Sequence, residues 1–175
     1  MSQTNSIKLN MLGLPVIQSI EDLSMLTHIS KYTIYQLSIH ADKYYKTYEI
    51  PKKSGRNRTI SQPNKKLKGF QSWVLRNILD KVKVSDSCKG FEKGSSTVEN
   101  ALPHRGANTV LSMDLKDFFP TITIQRVFSI FKVFGYSDLI STILANITTY
   151  AGALPQGSPC SPKLANLSAW KLDLR

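Results

Sequence analysis

The chain has 175 residues, 41% of them hydrophobic, which is enough for one folded domain and excludes a wholly disordered protein. No run of about 18 apolar residues is present and the first residues lack the pattern of a secretory signal, so we expect a cytoplasmic protein without membrane contact. Cys88 and Cys160 stand far apart, which favours neither a zinc site nor a disulfide framework. The net charge of +11 favours polyanionic partners.

The positive charge is concentrated in one part of the chain. Between Asp42 and Lys83 there are twelve Lys or Arg residues and three acidic residues, so this stretch holds most of the net charge. From charge alone, a solvated surface and a nucleic-acid-binding surface are equally good interpretations. Pro51, Gly55, Pro63 and Gly69 interrupt the stretch, which excludes one long basic amphipathic helix and disfavours a membrane surface.

The first half of the chain predicts helices around a hairpin. Helical spacing of apolar residues predicts two short helices between Ile20 and about Tyr45. Tyr48–Pro51 and Arg58–Ile60 are predicted to form two strands, and the basic segment Lys52–Asn57 connects them. From Lys66 to Val82 the apolar residues recur with helical spacing, so we expect a helix that packs under the hairpin.

The second half predicts one strand and three helices. Alternation over Thr109–Leu115 predicts a strand with Asp114 on its polar face. Helices are predicted over about 123–134 and 137–150, separated by Gly135 in the left-handed position after a helix end. A third helix is predicted after Ser161–Pro162, with the serine as cap and the proline at the first helical position. We expect this helix to continue to the last residue.

Two segments carry residues suited to chemistry. Asp114 stands at a predicted strand end, where a carboxylate can bind a divalent cation, although a two-ion site requires further carboxylates. The simpler interpretation is a turn or capping residue. Leu154–Pro162 is a Pro/Gly-rich loop that leads into a helix N-terminus, where free backbone amides favour an anion, and Gln156 could contact a nucleotide. The simpler interpretation here is a capping turn.

Taken together, these segments resemble the palm of reverse transcriptases. Asp114–Pro120, followed by two helices and then Leu154–Pro159, has the family's order of strand, Asp-x-x-Asp-Phe-Phe-Pro and Leu-Pro-Gln-Gly-x-Pro. Asn100–His104 matches the N-A-x-x-H signature of retron enzymes, and Gly90–Ser96 resembles the block before it. Leu12–Val16 is also similar to retron enzymes. The resemblance extends over nearly the whole chain.

The resemblance implies an α+β fold with right-hand polymerase-like fingers, an incomplete palm and a helical N-terminal region. The implied divisions are an N-terminal region at 1–45, fingers at 46–108 and a partial palm at 109–175. In the family a Tyr-x-Asp-Asp hairpin follows the helix that begins near Ser161, and its aspartates complete the metal site. The sequence stops before that hairpin, so we expect the chain alone to be inactive and its palm sheet to lack partner strands.

The implied activity is that of an RNA-directed DNA polymerase of a retron. Such an enzyme uses dNTPs and Mg²⁺ in a two-metal site and makes RNA-linked single-stranded DNA from a structured non-coding RNA. The resemblance also implies a role in anti-phage defence, together with a retron effector protein. Two alternatives are a non-catalytic RNA-binding remnant and a group II intron-type reverse transcriptase. The N-A-x-x-H block favours the retron branch over the intron type.

The resemblance assigns roles to individual residues. Asp114 is the catalytic, metal-binding aspartate and the Leu115 carbonyl a second oxygen ligand. Phe119 matches the residue that blocks a ribose 2′-hydroxyl, with core packing as the alternative for it or for Phe118. The implied nucleotide-binding residues are Lys52, Lys53, Arg58, Asp117, Phe119, Gln156 and Gly157. The implied RNA-binding residues are Lys65, Lys66, Lys68, Arg76 and His104.

Overall fold

The computed structural model describes residues 3–51, 57–92 and 94–173, with side chains as far as Trp170. Its first part is helical, as predicted, with α1 (Ser6–Met11), α2 (Ile20–Thr27) and α3 (Lys31–Ile39). Polar caps fix the starts of the helices: Ser19 and Asp22 form a capping box on α2, and Ser30 accepts a hydrogen bond from the amide of Thr33 on α3.

A two-stranded antiparallel hairpin follows a short 3₁₀ turn (Ala41–Tyr44). Strands β1 (Tyr45–Pro51) and β2 (Asn57–Pro63) pair in register, with Lys46 opposite Gln62 and Ile50 opposite Arg58. The hairpin predicted from the sequence is therefore confirmed, and both strands are longer than expected. Residues 52–56, which join the strands, lie outside the described part of the chain.

Helix α4 (Lys65–Asn77) begins directly after β2, and its amphipathic pattern decides how it packs. Asn64 caps it by accepting a hydrogen bond from the amide of Leu67. Leu67, Phe70 and Val74 are fully buried on its apolar face, as predicted. The helix ends five residues earlier than expected because the chain continues as a 3₁₀ turn (Leu79–Lys81).

The predicted strand Thr109–Leu115 is not formed. After α5 (Thr97–Ala101) and a 3₁₀ turn (Leu102–His104), the chain runs without regular structure to α6 (Phe118–Thr121). All residues from 109 to 115 are exposed, including Leu111 at 79% and Met113 at 81%. Alternation predicts which side chains share a face, but a strand also needs a hydrogen-bonding partner, and no described segment pairs with this one.

Two consecutive helices pack against each other and contribute buried residues to the core. Helix α7 (Ile124–Phe134) and helix α8 (Asp138–Thr148) agree with the predicted spans, and Gly135 between them has φ +117°, as expected of a residue after a helix end. The carbonyl of Gly135 accepts a 2.8 Å hydrogen bond from the amide of Asn5. A Cβ on Gly135 would lie 3.2 Å from the carbonyl oxygen of Asn5, so this glycine also allows the N-terminal region to approach closely.

The last helix, α9 (Ser161–Asp173), begins one residue earlier than predicted. The amide of Leu164 donates to the carbonyl of Cys160, so Cys160 is the capping residue and Ser161 already belongs to the first turn. The side chain of Ser158 accepts a hydrogen bond from the amide of Cys160 instead. One continuous hydrophobic core joins α1–α4 with α7–α9. No helix in the described part of the chain is both long and apolar enough to cross a membrane.

Candidate functional site

A cleft of about 430 Å³ lies between the hairpin, α4, α9 and the loop before α9. Its walls contain four of the predicted nucleotide-binding residues and one predicted RNA-binding residue, which come from distant parts of the sequence. The lining residues are Arg58, Lys68, Phe91, Phe119, Gln156, Gly157, Ser158, Pro159, Ser161 and Pro162. The cleft therefore combines two cations and two aromatic rings with a loop that leads into a helix N-terminus.

The loop before α9 pairs with the free edge of β2. The backbone amide of Ser61 donates a 2.7 Å hydrogen bond to the carbonyl of Gln156. Beside it, Nε of Arg58 donates a 2.6 Å hydrogen bond to Oε1 of Gln156. These two bonds fix the Gln156 side chain at the cleft wall and leave the terminal guanidinium nitrogens of Arg58 as further donors.

Gly157 is the point at which the loop and β2 come closest. Its φ of +121° is in the left-handed region, which side chains rarely adopt. An added Cβ would lie 2.9 Å from the carbonyl oxygen of Ser61 and 3.0 Å from Cγ2 of Ile60. Glycine is therefore required here both by backbone conformation and by the close approach of β2.

A buried polar network, which was not predicted from the sequence, connects α4 to the cleft residue Ser158. The amide nitrogen of Gln71, which is fully buried on α4, donates 2.7 Å hydrogen bonds to the Tyr45 hydroxyl and to the carbonyl of Ile147. Its oxygen accepts a 3.0 Å hydrogen bond from Ser158. Burial raises the pKa of Tyr45 well above its ordinary value, so its hydroxyl stays neutral in this network. The signal in the sequence was a glutamine on the apolar face of α4.

A second buried contact fixes the segment around Phe91. Lys163 on α9 is only 6% exposed, and its ammonium donates a 2.7 Å hydrogen bond to Oε2 of Glu92. Asn166, on the same side of α9, donates to Oε1 of Glu92 and to the carbonyl of Gly90. No role was predicted from the sequence for Glu92, Lys163 or Asn166. A lysine inside the predicted last helix gave no sign that it would be buried.

The two neighbouring phenylalanines have different surroundings. Phe119 lines the cleft, whereas Phe118 does not, and both rings are partly buried against the hydrophobic core. Their centroids are 6.4 Å apart in an edge-to-face arrangement. Phe91 adds a second ring to the cleft, with 73% of the residue exposed. Phe119 is therefore the one of the two rings that faces the cleft, and its 2′-blocking role stays a prediction.

Asp114 of the predicted metal site and Asp117 of the predicted nucleotide site are exposed and do not line the cleft. Asp114 lies in the irregular segment before α6 together with Leu115, and Asp117 occupies the cap position of α6 with φ +50° and no side-chain capping bond. Within the described residues, no three His, Cys, Asp or Glu side chains come together as a metal-binding group. The described donors therefore do not make up the ligand set of a two-ion magnesium site.

The predicted RNA-binding residues are all exposed. Lys65, Lys66 and Lys68 lie in the first turn of α4, and only Lys68 reaches the cleft. Arg76 donates to the carbonyl of Ser72 within its own helix, and His104 lies at the end of a 3₁₀ turn. The remaining two cations of the predicted nucleotide site, Lys52 and Lys53, lie outside the described residues.

Beside the cleft, Ser161 is a buried polar residue whose hydroxyl forms no hydrogen bond within the described residues. Its residue is 1% exposed, and its hydroxyl has no hydrogen-bond partner within the described part of the chain. Every other buried side-chain oxygen or nitrogen in that part has a partner. The hydroxyl thus retains unused donor and acceptor capacity at the N-terminus of α9, beside the cleft.

Comparisons with known proteins show the family of the chain. Residues 50–173 match the family "Reverse transcriptase (RNA-dependent DNA polymerase)". The chain belongs to the reverse transcriptase family. This reverse transcriptase chain is 50% identical over 173 residues to the Retron Ec86 reverse transcriptase of Escherichia coli. The aligned residues make up 98% of this chain and 54% of that protein. The part covered is the N-terminal portion of that relative.

Two relatives from Myxococcus xanthus are also similar. The Retron Mx162 reverse transcriptase is 35% identical over 185 residues, covering 93% of this chain and 38% of that protein. The Retron Mx65 reverse transcriptase is 33% identical over 185 residues, covering 93% of this chain and 43% of that protein. The reverse transcriptase chain thus spans about half the length of the first relative and about two fifths of the other two.

Proposed function

We propose that this chain forms the fingers and the first part of the palm of an RNA-directed DNA polymerase and supplies the nucleotide-facing half of its active site. The observation that supports the proposal most is the cleft, which is lined by Arg58, Phe119 and Gln156 although these residues are far apart in the sequence. A basic hairpin, an aromatic residue after an Asp-x-x-Asp segment and a Gln-Gly loop are a combination suited to a deoxynucleotide.

The proposed roles follow from the chemistry of each group. The guanidinium of Arg58 stabilises the negative charge of the triphosphate, and its bond to Gln156 keeps both side chains in place before the substrate arrives. The ring of Phe119 fills the space of a ribose 2′-hydroxyl and so favours deoxynucleotides. Lys52, Lys53 and Asp117 are proposed to contact the nucleotide, and Gly157 to allow the loop to approach it closely.

The ligands that this chain is proposed to provide for Mg²⁺ lie in the irregular segment before α6. Mg²⁺, when bound, would activate the primer hydroxyl and neutralise the leaving pyrophosphate. Asp114 and the carbonyl of Leu115 are the oxygen donors that this chain would contribute to its ligand set. The complete set requires carboxylates besides those described, so no catalytic step is assigned to these two residues alone.

The proposed nucleic-acid partner is an RNA template with its nascent DNA. The exposed cations Lys65, Lys66, Lys68 and Arg76, with His104, would contact the RNA backbone, which gives salt-dependent and sequence-independent affinity. Since the chain is 50% identical to a retron reverse transcriptase, we also propose that its RNA partner is a structured non-coding RNA and that its product is RNA-linked DNA. We further propose a cytoplasmic location and a role in anti-phage defence together with an effector protein.

The test is RNA-templated DNA synthesis by the full-length protein that contains this chain, comparing Asp114→Asn with Asp86→Asn. Both aspartates are exposed and the substitution is the same, but only Asp114 is proposed to bind metal. We expect Asp114→Asn to lower the rate by about 100-fold or more and Asp86→Asn to leave it unchanged. Equal rates for the two variants would contradict the proposed role of Asp114.

The second candidate function is RNA binding without synthesis. It is favoured by the exposed cations Lys65, Lys66 and Lys68, which lie together in the first turn of α4. In the same experiment this function would appear as salt-dependent RNA binding by a wild-type protein that makes no DNA at any Mg²⁺ concentration.

A further inference from the structure

Phe91 differs from the other aromatic ring of the cleft because it takes no part in the hydrophobic core. The residue lines the cleft and is 73% exposed. Phe119, in contrast, is partly buried and packs against the core. A single exposed ring is common on protein surfaces, so exposure alone does not indicate a function. The backbone and the neighbours of Phe91 decide how its exposure is interpreted.

The backbone of Phe91 has a conformation that phenylalanine rarely adopts. Its φ is +60°, in the left-handed region where a bulky side chain is unfavourable. Glycine, which stands at position 90, would adopt the same φ without this cost. Strain of this kind persists only where the surrounding contacts enforce it, and it is concentrated at functional sites.

Contacts with α9 fix the chain on both sides of Phe91. Nδ2 of Asn166 donates a 2.7 Å hydrogen bond to the carbonyl of Gly90 and a 3.0 Å hydrogen bond to Oε1 of Glu92. The ammonium of Lys163, which is almost fully buried, donates a 2.7 Å hydrogen bond to Oε2 of Glu92. Both neighbours of Phe91 are therefore held by one helix, and the ring between them lies at the cleft wall.

The base is the part of a deoxynucleotide for which no contact has been assigned so far. Arg58 is proposed for the triphosphate and Phe119 for the sugar. A polymerase must accept four different bases at one site, and each of them offers a flat π-face. Stacking on an aromatic ring uses that face and tolerates any base, whereas hydrogen bonds to the base edge would select among them.

We propose that Phe91 stacks on the base of the deoxynucleotide in the cleft, and that Asn166, Glu92 and Lys163 hold its ring there before the substrate arrives. This inference rests on the function proposed above, because it takes the cleft to be the site of the incoming deoxynucleotide. The strained backbone is then maintained for binding, since the exposed ring contributes nothing to the core.

The test is equilibrium binding of the deoxynucleoside triphosphate of 2-aminopurine to the full-length protein, in complex with an RNA template and a DNA primer that lacks its 3′-hydroxyl. Stacking quenches the fluorescence of 2-aminopurine, so one titration gives both the Kd and the degree of stacking. Phe91→Gly removes the ring and Phe91→Tyr keeps one. Tyr32→Leu is the matched control, because Tyr32 is as exposed as Phe91 but lies on α3, outside the cleft.

We expect Phe91→Gly to raise the Kd about tenfold and to reduce the quenching, while Phe91→Tyr and Tyr32→Leu leave both unchanged. Inorganic triphosphate, which has no base, should compete equally well in all variants. Phe91→Gly should unfold at no lower temperature than the wild type, because glycine adopts a positive φ without strain. A weaker affinity for the nucleotide would then not result from loss of folding.

The positioning role of α9 is tested by Asn166→Leu, which removes both hydrogen bonds of the Asn166 amide and keeps a side chain of similar size. We expect this change to raise the Kd in the wild-type background and to have no further effect in Phe91→Gly, where no ring remains to be positioned. Equal effects of Asn166→Leu in the two backgrounds would show that it acts without Phe91 and would refute this role.

Other results overturn the stacking contact. An unchanged Kd for Phe91→Gly would exclude it, and an equal rise for Tyr32→Leu would show a general effect. A lower affinity for the RNA template with an unchanged Kd for the nucleotide would place the ring against the template instead. Failure of the proposed polymerase function is recognised separately, because the wild-type protein would then extend no unmodified primer, whereas the Kd comparison does not depend on synthesis.

Discussion

Arg58 and Gln156 are 98 positions apart in the sequence, and their side chains are joined by a 2.6 Å hydrogen bond from Nε to Oε1. The bond connects a strand of the hairpin to the loop before α9, and both residues line the same cleft. Because the guanidinium is held through Nε, its two terminal nitrogens can point toward an anion.

We predict that Arg58→Gln raises the KM for dNTPs of the full-length protein by about tenfold or more, since both the charge and the support of Gln156 are lost. Arg58→Lys should give an intermediate KM because it keeps the charge but not the planar fork. Steady-state kinetics on an RNA template measures this. Arg105→Gln, which removes an exposed arginine outside the cleft, is the control. A KM raised equally by the control would refute the assignment of Arg58.

Replacement of Phe119 should change the choice of sugar. We expect Phe119→Val to lower the discrimination against ribonucleotides by about tenfold or more, because the smaller side chain leaves room for a 2′-hydroxyl. The ratio of kcat/KM for dNTP and rNTP measures this. Phe118→Val is the matched control, since Phe118 is partly buried but does not line the cleft. It should lower thermal stability and keep the ratio. Relaxed discrimination in both variants would mean that the rings act only through packing.

Replacement by alanine should lower the free energy of unfolding at Gly157 and raise it at Gly69. Gly157→Ala forces a side chain into a positive φ and against the carbonyl of Ser61, so we expect the free energy of unfolding to fall by about 2–4 kcal/mol. Gly69 lies within α4, where an added Cβ meets nothing within 4 Å, so Gly69→Ala should raise it by about 0.5–1 kcal/mol. Urea denaturation followed by circular dichroism gives both values. A tolerated Gly157→Ala would contradict the close approach of loop and strand.

The buried ion pair should matter far more than an exposed one. Glu92→Ala leaves the ammonium of Lys163 buried without its partner, and we expect a loss of about 2–3 kcal/mol in the free energy of unfolding. Glu21→Ala removes the partner of Lys31 in a pair whose side chains are both more than half exposed, and should change stability little. The double variant Glu92→Ala/Lys163→Met should recover part of the loss. Equal effects of the two single changes would argue against burial of Lys163.

The two thiols should react at very different rates. Burial raises the pKa of Cys160 far above its ordinary value, and its Sγ donates to the carbonyl of Gln71, so the reactive thiolate is scarce at neutral pH. Cys88 is partly exposed. Labelling of the chain with iodoacetamide, followed by mass spectrometry, should therefore modify Cys88 first and Cys160 only after denaturation. In Cys88→Ser the native protein should resist labelling, and rapid modification of that variant would contradict the buried position.

Local sequence patterns were sufficient for most helices and for the hairpin. The apolar stripe of α4 and Gly135 each predict structure from neighbouring residues alone, and the structure agrees. Ser161 was predicted as the cap of α9 but lies in its first turn. Thr109–Leu115 was predicted wrongly because alternation is a local property, whereas a strand depends on a partner elsewhere in the chain. Arg58, Phe119 and Gln156 line one cleft, and the nucleotide-binding role that the family resemblance implies for them stays a prediction.

The support of the cleft was not predictable in the same way. Gln71, Glu92 and Lys163 are ordinary surface residue types, and here Gln71 and Lys163 are buried and Glu92 is partly buried. Gln71 meets Ile147 and Ser158, and Glu92 meets Lys163, across 70 or more positions of sequence. Nothing in the neighbourhood of each residue specifies such a pairing. Only the position of Gln71 in an apolar stripe distinguished it from a solvent-facing side chain.

The joint between β2 and the loop before α9 has a mechanical consequence. The amide of Ser61 donates to the carbonyl of Gln156, Nε of Arg58 donates to its side chain, and Gly157 lies so close to Ile60 and Ser61 that a Cβ would not fit between them. If the hairpin tilts toward a bound substrate, the hairpin and the loop before α9 should move together as one rigid body. The Gln156 amide would then move together with Arg58, so that one movement would both close the hairpin and position the substrate.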